Sequence, residues 1–305
     1  MRSGIGVRFI PVYIMPRGKG ELMVYQAKNG RLNVGGSEME YIRFGTGDRI
    51  LVMLPGLGDS LRSIYGTALP MALMYRIFAR DFTVYAFSRK WNLPENCSTR
   101  DMARHQAEAM ELLGIDRADV FGVSMGGMIA QWLAIDYPQK VNRLILTVTS
   151  SRPNPILVDA VAEWISLARA GDHSAFMDSN LRMIYSDGYY RKNKWMVPIL
   201  GLVTRPKSYD RFFVQADACL SHNAYDSLCR IQAPTLVIGG EKDRALGGDA
   251  SREMAAAIPG AELLMYPQWG HGLYEEAQDF NQIVRDFFLQ VQTSVKSMKY
   301  VIDRN

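Results

Sequence analysis

The pentapeptide Gly122–Gly126 reads Gly-Val-Ser-Met-Gly and combines a nucleophilic side chain with two flanking glycines. An apolar run ending at Phe121 precedes it, and apolar residues at helical spacing follow it from Met128. A strand that turns abruptly into a helix strains the residue at the corner, and the turn closes only when the residues two positions away are small. The pattern therefore predicts an exposed Ser124 above a helix N-terminus that favours negative charge. A small residue packed at a turn would fit the pentapeptide equally well.

A serine hydroxyl is a poor nucleophile unless a base lies within hydrogen-bond reach. The chain has four histidines, and His271 follows the last predicted strand in a loop flanked by glycines. Ligands of open parallel sheets bind beyond the carboxyl ends of the strands, where this loop must lie. His271 is therefore the predicted base, and His222, in a region predicted to be helical, is its rival.

A histidine base needs a carboxylate that fixes its tautomer and stabilises its protonated form. Asp243 closely follows a predicted strand and would project toward the crevice of the sheet. Glu241 and Asp249 are the rival carboxylates, and a simple loop salt bridge is the alternative role. The order Ser124, Asp243, His271 along the chain is one of the known orders of a serine triad.

Attack of the serine on a carbonyl creates an oxyanion that two backbone N–H groups must already face. Loss of one such donor typically costs on the order of 10²–10³ in rate. Met125, the residue after the nucleophile, is one predicted donor. Leu57, in the loop after the first buried strand, is the other, because Gly56 and Gly58 on either side would let the backbone turn its N–H inward.

These residues need a scaffold that brings distant strand ends together. Short apolar runs alternate with amphipathic helical patterns, which predicts right-handed crossovers and a parallel sheet. The predicted strands span residues 39–44, 50–54, 82–87, 119–123, 143–148, 234–238 and 261–266, and hairpin turns are predicted at Asn29–Gly30 and at residues 34–37. Helices are predicted at residues 98–113, 124–136, 250–258 and 280–291.

No strand pattern is found from residue 152 to residue 230. Helices are predicted there over residues 156–170, 176–185 and 209–220. We therefore expect a core of residues 1–151 and 231–305 with a helical cap insertion, residues 152–230, over the carboxyl edge of the sheet. Residues from Ser294 onward are predicted to form a loosely held tail.

The composition limits the classes of protein to which this chain could belong. The 305 residues carry a net charge of +4, with 48% hydrophobic and 22% charged residues, as in ordinary soluble domains. Lys and Arg form no dense run, so no nucleic-acid partner is expected. No window approaches 18 uninterrupted apolar residues, and residues 1–15 lack a signal-peptide pattern, so neither a membrane span nor a leader is expected. The three cysteines are odd in number, which favours reduced thiols in a cytoplasmic protein.

Cofactor motifs are also missing from the sequence. No G-x-G-x-x-G motif follows a strand, and there is no Walker loop, so no nucleotide cofactor is expected. No spacing of His, Asp or Glu indicates a metal site. The expected chemistry is cofactor-free, with a small-molecule ester or lactone as the partner, and no pattern specifies an oligomeric state.

Four motifs together resemble the α/β-hydrolase family, over about residues 36–291 of this chain. They are Pro55–Gly58, Gly122–Met128, Gly240–Asp243 and Gly270–Gly272. The resemblance implies the α/β-hydrolase fold, a mostly parallel central sheet with helices on both faces and a helical cap insertion. The run Ser124–Gln131 is similar to that of small-ester, lactone and C–C bond hydrolases such as the 3-oxoadipate enol-lactonase group.

Two departures from the family pattern stand out. Pro55–Gly56 replaces the His-Gly that members often carry, which affects the expected shape of that loop. Residues Phe87–Pro94 lack the glycines of the Asp-x-Arg-Gly-x-Gly segment found in many members. The second loop is therefore expected to differ and to carry specificity residues of its own.

The leading hypothesis is hydrolysis of a small carboxylic ester or lactone through an acyl-enzyme. Hydrolysis of a carbon–carbon bond in a dicarbonyl compound and acyl transfer to an acceptor other than water would use the same triad. A ligand receptor on the same scaffold is the non-enzymatic alternative, which intact Ser124, Asp243 and His271 disfavour. Dehalogenases and epoxide hydrolases of this fold use a carboxylate nucleophile, so a serine at position 124 excludes them.

Overall fold

The computed structural model describes residues 24–290 and 302–304. Within these residues one sheet contains nine strands in the order β1-β2-β4-β3-β5-β6-β7-β8-β9. The strands are β1 (Lys28–Val34), β2 (Ser37–Phe44), β3 (Arg49–Leu54), β4 (Phe82–Phe87), β5 (Ala118–Val123), β6 (Val141–Thr147), β7 (Thr235–Gly240), β8 (Glu262–Tyr266) and β9 (Ile302–Arg304). Strands β3 to β8 pair in parallel, whereas β1, β2 and β9 pair antiparallel with their neighbours. The predicted mostly parallel sheet is confirmed.

Eleven α-helices connect or follow these strands in the described part of the chain. They are α1 (Ala68–Met74), α2 (Thr99–Leu112), α3 (Met125–Asp136), α4 (Pro155–Arg169), α5 (His173–Ile184), α6 (Asp187–Asn193), α7 (Val197–Val203), α8 (Asp210–Leu220), α9 (Asp249–Ala257), α10 (Leu273–Glu276) and α11 (Phe280–Leu289). Every predicted helix is present, with ends that shift by a few residues.

Both faces of the sheet are covered because its central strands are apolar on both sides. In β3, Val52 and Leu54 pack into a core shared with α2 and α3. Leu51 and Met53 point to the opposite face, where α1 and α11 supply the core. The alternation along one strand therefore anchors helices on both faces, and the loop that follows β3 is fixed from both sides.

The hairpin between β1 and β2 turns at Gly35 and Gly36. Both glycines adopt positive φ, 54° and 79°, which a residue without a Cβ tolerates. Gly30 instead lies inside β1 opposite Tyr41, and a Cβ at residue 30 would lie 2.2 Å from the tyrosine ring. The prediction of a turn at Asn29–Gly30 is therefore wrong, because the glycine makes room for an aromatic ring rather than bending the chain.

Five helices, α4 to α8, lie between β6 and β7, and we call them the helical segment. The three helices predicted there correspond to α4, α5 and α8. Helices α6 and α7 were not predicted, and their sequences contain Gly188, Pro198 and Gly201, which are poor helix formers in a helix interior. The proline lies in the first turn of α7, where its missing N–H costs no helical hydrogen bond.

The C-terminal end of the chain differs from its prediction. Ile302–Arg304 forms β9 and pairs antiparallel with β8, so the prediction of a loosely held tail is wrong for these residues. The predictions for residues 1–15 lie outside the described residues. No helix among residues 24–290 is long and apolar enough to cross a membrane. The same residues contain no cluster of three or more His, Cys, Asp or Glu that could hold a metal ion.

Candidate active site

Ser124 lies at the turn between β5 and α3 with a strained backbone, φ 52° and ψ −124°. Positive φ is uncommon for a residue with a Cβ, and such outliers concentrate at functional sites. A Cβ on Gly122 would lie 2.7 Å from the carbonyl oxygen of Gly126, and one on Gly126 would lie 1.9 Å from that of Leu54. Only glycine fits at both positions, so the tight turn holds a partly exposed serine at the carboxyl edge of the sheet.

His271 and Asp243 form a buried hydrogen-bonded pair. Nδ1 of His271 donates to Oδ2 of Asp243 at 2.9 Å, and both side chains are almost entirely buried. Oδ1 of Asp243 accepts hydrogen bonds from the backbone N–H groups of Ala245 and Leu246 at 2.8 and 2.9 Å. The carboxylate therefore holds the imidazole with its proton on Nδ1, which leaves Nε2 as the acceptor.

The rival carboxylates are engaged elsewhere or exposed. Glu241 pairs with Arg252, with 3.0 Å between Oε2 and Nη1. The side chain of Asp249 is fully exposed at the start of α9. Asp243 is thus the carboxylate that the structure brings to His271.

The other three histidines are buried, and burial lowers the pKa of each. His222, the rival base, bonds through Nδ1 to the hydroxyl of Thr99 at 2.8 Å and through Nε2 to the amide oxygen of Gln131 at 3.4 Å. Burial lowers the pKa of His222 to about 3 and that of His105 to about 4. Burial likewise lowers the pKa of His173, which bonds to two hydroxyl groups within the helical segment. Within the described residues, none of the three forms a hydrogen bond with Ser124.

The two predicted oxyanion donors are Met125, which directly follows the serine, and Leu57, which directly follows Gly56. Across the described residues, neither the Leu57 nor the Met125 backbone N–H has a hydrogen-bond acceptor. A Cβ on Gly56 would lie 3.3 Å from that of Ser124, so the lack of a side chain keeps this loop close. Gly56 has φ −69°, and Gly58 has open space and no left-handed φ. Neither glycine supplies the conformational freedom expected of it, since closeness to Ser124 explains Gly56 and a Cβ at residue 58 would meet nothing within 4 Å.

Parallel pairing puts the carboxyl ends of β3, β5, β7 and β8 at one edge of the sheet. The five residues singled out from the sequence follow these strand ends: Leu57, Ser124, Met125, Asp243 and His271. Among the described residues, Ser124 and His271 form no hydrogen bond with each other. Bonds of this kind are often long before substrate binds.

A contact that the sequence did not reveal braces the loop of His271. The N–H of Gly272 donates to the carbonyl of Ile184 at 2.6 Å, and the hydroxyl of Tyr185 donates to Oε2 of Glu275 at 2.7 Å. Ser186 donates hydrogen bonds from its backbone N–H and from its hydroxyl to the carboxylate of Glu276, the next residue of α10. Glu275 and Glu276, four and five positions after His271, were the available signal, but their partners lie 90 positions away.

Comparisons with known proteins agree with this architecture. Residues 49–278 match the family model described as the alpha/beta hydrolase fold. A 2-hydroxy-6-oxononadienedioate/2-hydroxy-6-oxononatrienedioate hydrolase of a Pseudomonas species is 27% identical over 256 residues, covering 80% of this chain and 89% of that protein.

Two solved structures share the fold. One is an alpha/beta hydrolase enzyme, MGS-M2, from a Medee basin deep-sea metagenome library, with a TM-score of 0.76, 23% identity and coverage of 87% of this chain and 99% of that one. The other is the enol-lactonase from Burkholderia xenovorans LB400, with a TM-score of 0.71, 21% identity and coverage of 85% and 100%. From its architecture and from the matched 230-residue span, the chain belongs to the alpha/beta hydrolase family.

Proposed function

We propose that this protein is a serine hydrolase that cleaves a small carboxylic ester or lactone. The observation that carries the proposal is the strained backbone of Ser124, held at the same sheet edge as a buried His271–Asp243 pair. Strain at a residue that bears a Cβ is costly, of order 1–3 kcal/mol, and persists where function requires it. A serine that merely packed at a turn would not need it.

The proposed reaction has two balanced halves. Ser124 Oγ attacks the carbonyl carbon while His271 Nε2 takes its proton, and His271 then gives that proton to the departing alkoxide as the C–O bond breaks. A water molecule next attacks the acyl-enzyme, with His271 again accepting a proton and returning it to Oγ. The Leu57 and Met125 N–H groups would donate to the oxyanion in both halves.

Asp243 supports this cycle electrostatically. Its carboxylate faces Nδ1–H of His271 and would stabilise the imidazolium that forms each time a proton is taken. The two backbone donors on its other oxygen fix the carboxylate in place. The pair is therefore pre-organised rather than assembled during the reaction.

A substrate panel tests the proposal. Esters, lactones and thioesters of varied acyl length are offered to the wild type and to Ser124→Ala under identical conditions. The proposal expects turnover of at least one ester or lactone by the wild type, reduced by on the order of 10³-fold or more in Ser124→Ala. Equal turnover by both proteins would remove Ser124 from the mechanism.

Hydrolysis of a carbon–carbon bond in a dicarbonyl compound is the second candidate. It is favoured by the similarity to a protein named as a 2-hydroxy-6-oxononadienedioate hydrolase. Cleavage of such a compound, with no ester or lactone accepted, would replace the leading proposal by this one. Acyl transfer would appear as product formed only with an alcohol or amine acceptor, and a receptor would bind a ligand without turnover.

Residues 152–230 are proposed to act as the cap of this hydrolase. Helix α4 and the loop after β7 are joined by a bond of 2.8 Å from Asn154 Nδ2 to the carbonyl of Leu246, three residues beyond Asp243. The helical segment also contacts the loop that carries His271. These contacts support the proposal that α4 to α8 would meet a bound small molecule.

A cytoplasmic location stays a prediction from the cysteine count.

A further inference from the structure

Four large apolar side chains are exposed along one side of α7 and of the 3₁₀ turn that leads into it, Lys194–Met196. We call them the apolar ridge: Trp195, Ile199, Leu202 and Val203. Because Met196 has helical backbone angles, the turn and the helix are continuous, and steps of three and four residues put the ridge on one face. Leu202 and Trp195 are 81% and 63% exposed, more than any other large apolar side chain among the described residues.

The opposite face of α7 is the one that packs against the protein. Val197 is buried, and Gly201 lies so close to α5 that a Cβ there would be 3.0 Å from Cα of Ser174. These two residues are one turn apart, about half a helical revolution away from Ile199 and Leu202. The apolar ridge is therefore not the inward face of the helix, and within the described residues no element covers it.

Exposed cations lie before and after the apolar ridge. Residues 188–209 contain five Lys or Arg and no Asp or Glu, whereas the whole chain has a net charge of only +4. All five cations are exposed: Arg191, Lys192, Lys194, Arg205 and Lys207. Within the described residues none of the five forms a direct ion pair, and the preceding acid, Asp187, pairs with Arg244 instead. The ridge thus lies in a field of unbalanced positive charge.

Apolar and cationic side chains in this arrangement match the surface of an anionic bilayer. A helix that lies in the membrane interface buries its apolar side by roughly 5–10 Å and keeps Lys and Arg on its polar side. Tryptophan is favoured at the level of the headgroups. The long stems of Lys and Arg let their charges reach anionic headgroups while the apolar ridge is inserted. Each such cation near the surface strengthens binding by about five-fold.

Other occupants of the apolar ridge fit these charges less well. In a symmetric contact with a second copy the ridge would meet itself, which would bring the five cations of one chain to those of the other. A folded protein partner would need a groove shaped to the protruding Leu202, whereas a fluid lipid surface needs no matched pocket. Helix α7 has seven residues, far short of the roughly 20 that cross a bilayer, so the contact would be interfacial.

We propose that the apolar ridge and its five cations dock this protein on an anionic lipid surface, with Trp195 and Leu202 inserted at the headgroup level. This inference goes beyond the proposed hydrolysis and does not depend on it, because neither Ser124 nor turnover takes part. Helix α7 packs on α5, and the residue that ends α5, Ile184, accepts the N–H of Gly272. Docking would therefore turn the side of the molecule that supports the His271 loop toward the membrane.

Co-sedimentation of the full chain with lipid vesicles tests the inference. Vesicles of phosphatidylglycerol mixed with phosphatidylcholine should bind the wild type at least about 10-fold more tightly than vesicles of phosphatidylcholine alone, and added salt should weaken that binding. Leu202→Ser should lower the affinity roughly 10-fold. Lys194→Gln should lower it about five-fold. Both residues are exposed, so circular dichroism and Tm should stay close to those of the wild type.

Matched controls come from exposed residues outside the ridge. Leu112→Ser removes a leucine that is 54% exposed at the end of α2, and Lys28→Gln removes an exposed cation of β1. Both should keep the wild-type affinity for the anionic vesicles. Ser124→Ala should also keep it, so that a failure of the proposed hydrolysis and a failure of docking can be told apart.

Quenching of tryptophan fluorescence tests whether the ridge is inserted. Anionic vesicles with brominated acyl chains should quench the wild type, and Trp195→Phe should bind them within a few-fold of wild type while losing most of the quenching. Trp91→Phe is the control, because Trp91 is also exposed but lies outside the apolar ridge.

Three results would overturn the inference. One is a wild type that does not bind the anionic vesicles or binds both kinds of vesicle equally. Another is an equal loss of affinity in Leu202→Ser and Leu112→Ser. The third is a wild type that sediments as a dimer without lipid, becomes a monomer in Leu202→Ser and ignores vesicles, which would assign the ridge to a second copy of this chain.

Discussion

The hydroxyl of Tyr185 donates a hydrogen bond of 2.7 Å to Glu275, which joins the helical segment to the short helix that follows His271. Close packing accompanies the bond, since a Cβ on Gly272 would lie 2.8 Å from the Tyr185 ring. The segment between α5 and α6 thus supports the loop that holds the proposed base. The position of this segment and the position of the His271 imidazole are therefore expected to be coupled.

Removal of the Tyr185 hydroxyl tests this coupling. Tyr185→Phe leaves a partly buried carboxylate without its donor, so we expect a loss of stability on the order of 1–2 kcal/mol and a fall in kcat of several-fold, with KM changed less. Tyr190→Phe is the matched control, since it removes a 2.8 Å bond to Asp178 within the helical segment that does not touch the His271 loop. Equal changes in kcat for the two variants would show that the brace has no special role.

The pKa of Glu275 predicts a pH dependence of stability. Burial raises this pKa from 4.5 to about 7, against the lowering effect of the Tyr185 hydrogen bond. Between these values the folded protein holds a proton that the unfolded chain has released, so the free energy of unfolding should fall as pH rises from about 4.5 to 7. Glu275→Gln should lack this pH-dependent loss of stability, so its Tm should rise relative to that of the wild type as pH increases. Tm curves that stay parallel across this window would contradict the assignment.

The tight turn around Ser124 predicts that a side chain at residue 126 would lower both activity and stability. A Cβ in Gly126→Ala would lie 1.9 Å from the backbone oxygen of Leu54, so the loop bearing Leu57 must move away from Ser124. We expect a fall in kcat/KM of about 10²-fold or more, as for loss of an oxyanion donor, with a lower Tm. Gly58→Ala, where a Cβ meets nothing within 4 Å, should have a far smaller effect on both measurements.

The carboxylate assignment predicts an asymmetry between two neighbours. Asp243→Asn replaces the negative charge that faces Nδ1–H of His271 with a neutral amide. The imidazole is then held less well in its orientation, and its protonated form is not stabilised. We expect kcat to fall on the order of 10³-fold or more with the fold preserved. Glu241→Gln, which weakens a partly exposed pair with Arg252, should stay within a few-fold of wild type. A larger loss in Glu241→Gln would reverse the assignment.

The sequence was informative where a local pattern had a single structural meaning. Glycines spaced around Ser124 and His271 at the ends of apolar runs indicated a sheet edge, and the observed parallel strand order agrees with that. The same reasoning failed at Gly30, because whether a glycine turns the chain or admits a ring depends on Tyr41 across the sheet. Helices α6 and α7 were missed because each is only seven residues long and contains glycine or proline, which weakens the helical pattern in the sequence.

Long-range partnerships could not be predicted. In the sequence Arg89 stands only in the loop after β4 that lacks the family's glycines, and its partners Asp59 and Arg211 lie 30 and 122 positions away. Each residue alone looks like an ordinary surface charge in the sequence. Their burial follows from the way α8 packs over the loop after β3, which no single stretch of sequence specifies.

Covalent labelling is the most direct test of the claim that Ser124 is an activated nucleophile. The folded protein is treated with a fluorophosphonate, and the modified peptide is identified by mass spectrometry in the wild type, Ser124→Ala and His271→Ala. The account predicts about one label per chain on Ser124, none in Ser124→Ala, and labelling slowed by orders of magnitude in His271→Ala. An unlabelled wild type, or a label that persists in Ser124→Ala, would contradict it.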